Sequence, residues 1–145
     1  MIDSHCHLNF ESLRKNFSKI IDNAKKNEIT SILSINTDPD DFLNHYKLIE
    51  NYKSLFISYG LHPESVSKVK SISKDIILKN IYRNKVIAIG ETGLDFYHSI
   101  EYKKEQYKNF EEHIEGCVEG LFEVNCEGLI EGFGKYLLWS LCWKY

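Results

Sequence analysis

Short apolar runs of β-forming residues alternate with amphipathic stretches through residues 1–115, and this alternation constrains the fold more than any other feature. Met1 to Cys6 reads as a strand and leads into a helical pattern with Leu13, Phe17, Ile20, Ile21 and Ala24 on one face. Ile29 to Ile35 is a second run. Asp38-Pro39 behind it is a helix start with proline at the first helical position, followed by Phe42, Tyr46 and Ile49 at helical spacing. Ser54 to Tyr59 makes a third strand, Ile76 to Ile81 lies in a third helix, and Lys85 to Gly90 makes a fourth strand. Tyr107, Phe110 and Ile114 then stripe a fourth helix. Strands that alternate with helices predict a parallel α/β sheet, because parallel strands need crossover connections. The sequence has neither the glycine-rich first turn of a dinucleotide-binding fold nor a Walker-type phosphate loop, which places a (β/α) barrel ahead of a doubly wound sheet.

Composition sets the outer limits. With 145 residues, 43% of them hydrophobic and 27% charged, the chain is long enough for one buried core. A net charge of −3 argues against wrapping DNA by basic charge alone. Lys15, Lys25, Lys26, Lys103 and Lys104 read as solvated helix faces. No apolar run approaches the ~20 residues of a membrane span, and Met1 to His7 carries Asp3 and two histidines where a signal peptide needs an apolar stretch. No membrane association and a cytoplasmic location are expected, with the nucleus as the alternative. Cys6, Cys117, Cys126 and Cys142 fall at no metal-knuckle or redox spacing, so free thiols are expected.

In parallel α/β folds the chemistry gathers where strands end, and three strand ends here are polar in an informative way. Asp3-Ser4-His5-Cys6-His7 places two histidines two apart on an extended chain, so both imidazoles point to one face and can reach one metal ion. The bland alternative is two histidines by chance. Cys6 between them points the other way and reads as a small core residue. Gly60-Leu61-His62-Pro63 sets His62 at the mouth of the third strand, with Gly60 allowing an unusual backbone geometry; a histidine in an ordinary turn is the alternative. Ile87 to Asp95 stops a β run on Glu91 between glycines. Glu91 offers two oxygens to one or two hard cations, whereas alone it would read as a capping or surface acid. Asp95 reads as a residue that orders the loop or orients another side chain. Taken together, these residues point to a metal-dependent hydrolase.

The stretches Ile2-Asp3-Ser4-His5-Cys6-His7, Tyr59-Gly60-Leu61-His62-Pro63 and Ile89-Gly90-Glu91-Thr92-Gly93-Leu94-Asp95-Phe96-Tyr97, in this order and spacing, resemble the TatD-type metal-dependent deoxyribonuclease family. Gln106 to Ile114 is similar to the family's helix after its fourth strand, so the resemblance covers residues 2 to about 115. It implies an (α/β)8 metallohydrolase barrel that hydrolyses phosphodiester bonds of a DNA substrate, often as a 3′ to 5′ exonuclease. The divalent metal cofactor would be magnesium or manganese, with zinc as the alternative. By the same resemblance His5 and His7 ligate the first metal, and Glu91 is the catalytic carboxylate that bridges two metals. His62 and Asp95 would line the mouth as substrate-binding residues.

The family pattern then stops. No histidine follows His113 and no aspartate follows Asp95, so the later ligands that the resemblance implies are absent. A complete barrel takes ~250 residues, and this chain reads as about four βα units, a partial TIM-type barrel over residues 1–115. Residues 116–145 differ in composition, with both tryptophans, three cysteines and five of the eight glycines. The tail reads either as a replacement element that covers the open sheet edge or as misjoined sequence, and the abrupt end of the pattern favours the second. The chain is accordingly expected to be weakly active or inactive alone and to self-associate through the exposed edge and tail. Two other functions fit the same residues: hydrolysis of a small amide or ester by the same metal chemistry, or a non-catalytic interaction module.

Overall fold

The computed structural model describes residues 1–69, 71–98, 100–124 and 137–140, of which 121–124 and 137–140 are described by their backbone alone. Five parallel strands form one sheet: β1 (Ile2–Cys6), β2 (Ser31–Ser34), β3 (Leu55–Tyr59), β4 (Val86–Thr92) and β5 (Leu137–Ser140). Their spatial order is β1-β2-β3-β4-β5. Registers pair Ile2 with Ser31, Ile32 with Leu55, Ile57 with Val86 and Ala88 with Leu137. A doubly wound sheet reverses its strand order at a switch point, and this sheet does not reverse. The sequential order with intervening helices is that of a partial TIM-type barrel, as the alternation predicts. Of the tail, residues 125–136 and 141–145 lie outside the described residues.

The helices are α1 (Glu11–Arg14), α2 (Phe17–Lys26), α3 (Phe42–Ile49), α4 (Lys74–Ile81) and α5 (Lys103–Val124), with short 3-10 turns at Pro63–Ser67 and Ile100–Tyr102. The main core lies between sheet and helices, where Phe42, Ile49, Leu55, Ile57, Ile77, Ile81 and Ile89 are all buried. Leu33, Ile35 and Ala88 form a smaller cluster. Strands β2 to β4 are buried on nearly every residue, as parallel strands covered on both faces must be, while β1 at the edge alternates between exposed and half-buried.

Three local expectations change. The first helical pattern is split into α1 and α2, and at the break the Asn16 amide donates to the Ser12 carbonyl, competing with the helical ladder. The second helix begins at Phe42 and not at Asp38-Pro39, because the Asp38 carboxylate accepts the Asp40 N–H in a local turn that delays helix entry. The third change concerns the buried face of α5. Gln106, Asn109 and His113 are fully buried, whereas Tyr107 and Ile114 of the expected apolar stripe are exposed. Helix α5 runs without a break through Glu115 and Gly116.

Candidate metal centre at the strand ends

Strand β1 carries His5, His7 follows directly on its last residue Cys6, and β4 delivers Glu91 beside them. One donor atom from each of the three lies within 4.8 Å of the others. Donors each about 2.0–2.2 Å from a common cation lie up to ~4.4 Å apart, so this set fits a divalent ion after a small side-chain adjustment. The two imidazole rings meet edge to face at 5.1 Å, and Phe10 stacks on His7 at 4.6 Å. Cys6 turns away from this group and packs on the core, where burial pushes its thiol up to about 12.

The ring of His7 is set by its partner. Its Nδ1–H donates to the Ile35 carbonyl at 3.0 Å, which leaves the Nε2 lone pair 3.9 Å from Glu91 Oε2. Burial pulls the His7 pKa below its ordinary value, so the ring is held neutral, the form a ligand requires. His62 has the opposite arrangement. Its Nδ1 accepts the Glu64 N–H at 3.2 Å, so the neutral ring carries its hydrogen on Nε2, which stands 3.9 Å from Glu91 Oε1. Glu91 therefore faces a lone pair on one side and an N–H donor on the other, with only 4% of its surface exposed.

The loop after β2 holds both of these residues by their backbone. The Asn36 carbonyl accepts Glu91 N–H at 2.9 Å, and the Thr37 carbonyl accepts His62 N–H at 3.1 Å. Gly60 is required here by close packing: a Cβ on it would lie 2.4 Å from the Gly90 carbonyl carbon. The expectation of unusual backbone geometry at Gly60 gives way to this steric reason, while φ is positive at Gly90 and Gly93 on either side of Glu91. A cavity of about 280 Å³ opens over the group, lined by His7, Thr37, His62, Glu64 and Glu91 among others.

Asp95 stands outside the three-residue group. Its Oδ1 accepts the backbone N–H groups of Tyr97 and His98, and its Oδ2 lies 2.7 Å from His98 Nδ1. Burial works to raise its pKa, but the hydrogen bonds from His98 and Tyr97 outweigh that and hold the carboxyl below its usual range. The same bond raises the His98 pKa, with Glu64 Oε1 3.4 Å away adding to it. Glu64 and His98 are not evident from the sequence; the only signals are the position of Glu64 behind an N-cap histidine and the three-residue spacing from Asp95 to His98.

A family model described as TatD related DNase matches residues 2–119. A protein of Buchnera aphidicola subsp. Baizongia pistaciae, named an uncharacterized metal-dependent hydrolase, is 35% identical over 123 residues, covering 81% of this chain and 45% of its own length. The metal-dependent hydrolase YcfH of Escherichia coli K12, likewise named uncharacterized, is 29% identical over 118 residues, covering 79% of this chain and 44% of the relative. The crystal structure of YjjV, a TatD homolog from E. coli, superposes with a TM-score of 0.71 at 26% identity, covering 83% of this chain and 47% of that one. The chain thus spans about half the length of the relatives it matches.

Proposed function

The chain belongs to the TatD related DNase family, and on that premise we propose that its site serves metal-dependent hydrolysis of phosphodiester bonds in DNA. The observation that carries this reading is the convergence of His5, His7 and Glu91 within 4.8 Å at the ends of β1 and β4. DNA as substrate is supported by the description of the family model, and a hydrolytic, metal-dependent reaction by the names of the relatives.

A divalent cation, magnesium or manganese with zinc as the alternative, would be held by His5, His7 and Glu91 and would supply Lewis-acid stabilisation of phosphoryl charge. The residues of the chain do the rest. His7 presents a neutral lone pair, kept in place by the Ile35 carbonyl. Glu91 offers one oxygen toward His7 and the other toward His62. His62 aims Nε2–H into the cavity, where it can donate to an anionic substrate oxygen, which supports a substrate-binding role for it over a ligand role. Asp95 contributes at the mouth by ordering the loop that presents His98. With His5, His7 and Glu91 as its ligand set, the chain on its own is proposed to be weakly active or inactive. It is also proposed to act in the cytoplasm, or alternatively the nucleus, and to associate through its exposed β1 edge. Among the described residues no helix is long and apolar enough to cross a membrane.

The test measures shortening of end-labelled single-stranded DNA with magnesium or manganese, alongside calorimetric Mn2+ binding, for the parent chain and Glu91→Gln. The expected result is Mn2+ binding by the parent, weakened at least about tenfold in Glu91→Gln, with any cation-dependent cleavage falling by a similar factor. Equal binding in both proteins, or cleavage that ignores the cation, overturns the reading. Hydrolysis of a small amide or ester in place of DNA would retain the metal centre and replace the substrate.

A further inference from the structure

Three polar side chains on one face of α5, Gln106, Asn109 and His113, are buried with no exposed surface, and each bonds backbone groups of a loop at the ligand end of the sheet. The Gln106 carboxamide meets Asp95 twice: Oε1 accepts the Asp95 N–H at 2.7 Å and Nε2 donates to the Asp95 carbonyl at 2.9 Å. Asn109 and His113 together do the same for Leu61. Asn109 Nδ2 donates to the Leu61 carbonyl at 3.0 Å, and His113 Nε2 accepts the Leu61 N–H at 3.2 Å. His113 is itself oriented by Nδ1–H donating to the Asn109 carbonyl at 2.6 Å. Each clamped residue thus has both its N–H and its C=O paired, as a residue inside a sheet would, but by side chains of a helix.

The clamped positions matter because of their neighbours at the site. Leu61 immediately precedes His62, and Asp95 carries the bond to His98. None of the three α5 side chains is among the residues that line the cavity. A stripe that only held the helix on the sheet would be met at lower cost by apolar residues, since burying a polar group is favourable only when it is paired. We infer that Gln106, Asn109 and His113 are positioning residues, and that this face of α5 sets the spacing between the loop bearing His62 and the loop bearing Asp95 and His98. The inference rests on the proposed function in assigning His62 and Asp95 to the substrate end of the site.

The test uses the full chain with four variants. Gln106→Met and His113→Leu remove both functions of each clamp residue, while Gln106→Glu and His113→Gln keep an acceptor for the clamped N–H. Amide exchange and histidine ring titration are followed by NMR, with Mn2+ affinity and hydrolysis of bis(p-nitrophenyl) phosphate measured in parallel. Gln106→Met is expected to speed exchange at Asp95 at least about tenfold, the factor for one lost hydrogen bond, and to return His98 toward its ordinary titration. It leaves Leu61 exchange and Mn2+ affinity unchanged. His113→Leu is expected to speed exchange at Leu61 and leave Asp95 and His98 as they were. The Glu and Gln variants recover part of each effect, and serve as the decisive pair if the more severe ones do not fold. Turnover falls about tenfold or more at unchanged Mn2+ affinity, since misplacing a substrate-facing group by about 1 Å can cost roughly a hundredfold. Exchange at both amides rising together, or His98 titrating unchanged in Gln106→Met, overturns the inference. If the parent hydrolyses nothing, the turnover comparison falls away, and the exchange and titration pattern alone decides whether the clamps set the loops.

Discussion

Helices α4 and α5 pack side by side against the same sheet, yet they bury opposite kinds of side chain. Helix α4 turns Ile77, Leu78 and Ile81 inward, and α5 over its first three turns turns Gln106, Asn109 and His113 inward. The apolar stripe meets other side chains of the core, and its contribution is loss of water-exposed area. The polar stripe meets the backbone of two loops at hydrogen-bonding geometry, and its contribution is directional. One helix holds the domain together, and its neighbour holds the mouth of the site in shape.

The largest expected effect breaks the apolar side of this contrast. Ile77→Ala removes a fully buried side chain and should cost about 2–5 kcal/mol in urea denaturation, without changing Mn2+ affinity in the folded fraction. A cost below about 1 kcal/mol would show that α4 is not the anchor.

The second effect separates the helices by pH. Burial lowers both His45 and His113 to about 4, against an ordinary value of 6.5. Each is held neutral in the fold, so the unfolded chain binds more protons as pH falls through the window from 6.5 to 4. Their stabilisation is complete above 6.5 and is lost on acidification, at about 1.4 kcal/mol per pH unit for each histidine as an upper bound. Urea midpoints at pH 7, 6 and 5 should therefore fall, and His113→Gln should remove part of that slope, with His45 and the likewise lowered His7 keeping the rest, while Ile77→Ala leaves it in place. His98 runs the other way, because its raised pKa gives stability that is lost as pH rises; being largely exposed, it makes a small contribution.

The smallest effect lies where the two helices touch. A Cβ on Gly116 would stand 3.0 Å from Ile77 Cγ2 and 3.3 Å from Ile77 Cβ, a branched carbon with little room to give. The gain in helix propensity on Gly116→Ala, up to about 1 kcal/mol, opposes that contact, so the net change should stay within about 1 kcal/mol. In an Ile77→Ala background the same substitution should become more favourable by about 0.5 kcal/mol or more, and strict additivity would deny the contact.

The same contrast explains which parts of the molecule are legible in the residues. Four strands and the presence of a helix over Ile76 to Ile81 follow from local pattern, because a buried parallel strand needs a continuous apolar run and an amphipathic helix a 3.6-residue repeat. The face of α5 is misread for the same reason. Tyr107, Phe110 and Ile114 carry the apolar repeat, but Gln106, Asn109 and His113 are buried because loop groups with no strand partner wait for them there. Hydropathy cannot register a polar residue whose partner lies some fifty residues away in the chain, as Leu61 lies from His113. The start of α3 escapes the pattern for a local reason, the Asp38 turn, in which a side chain competes with the helix for the backbone.

For the site, the residue pattern is enough to put His5 and His7 on one face, since side chains two apart on an extended chain point the same way, and to end a strand on Glu91 among glycines. Packing of the sheet is what brings those three residues, at the ends of β1 and β4 with β2 and β3 between, within 4.8 Å. The fold also decides the hydrogen positions on two histidines, giving His7 a lone pair and His62 a donor, through the Ile35 carbonyl and the Glu64 N–H. Side-chain direction along a strand is a property of backbone geometry and is written locally. Distances between strand ends and the partners of ring nitrogens depend on how the sheet and its loops pack, and that is set by contacts between residues distant in the chain.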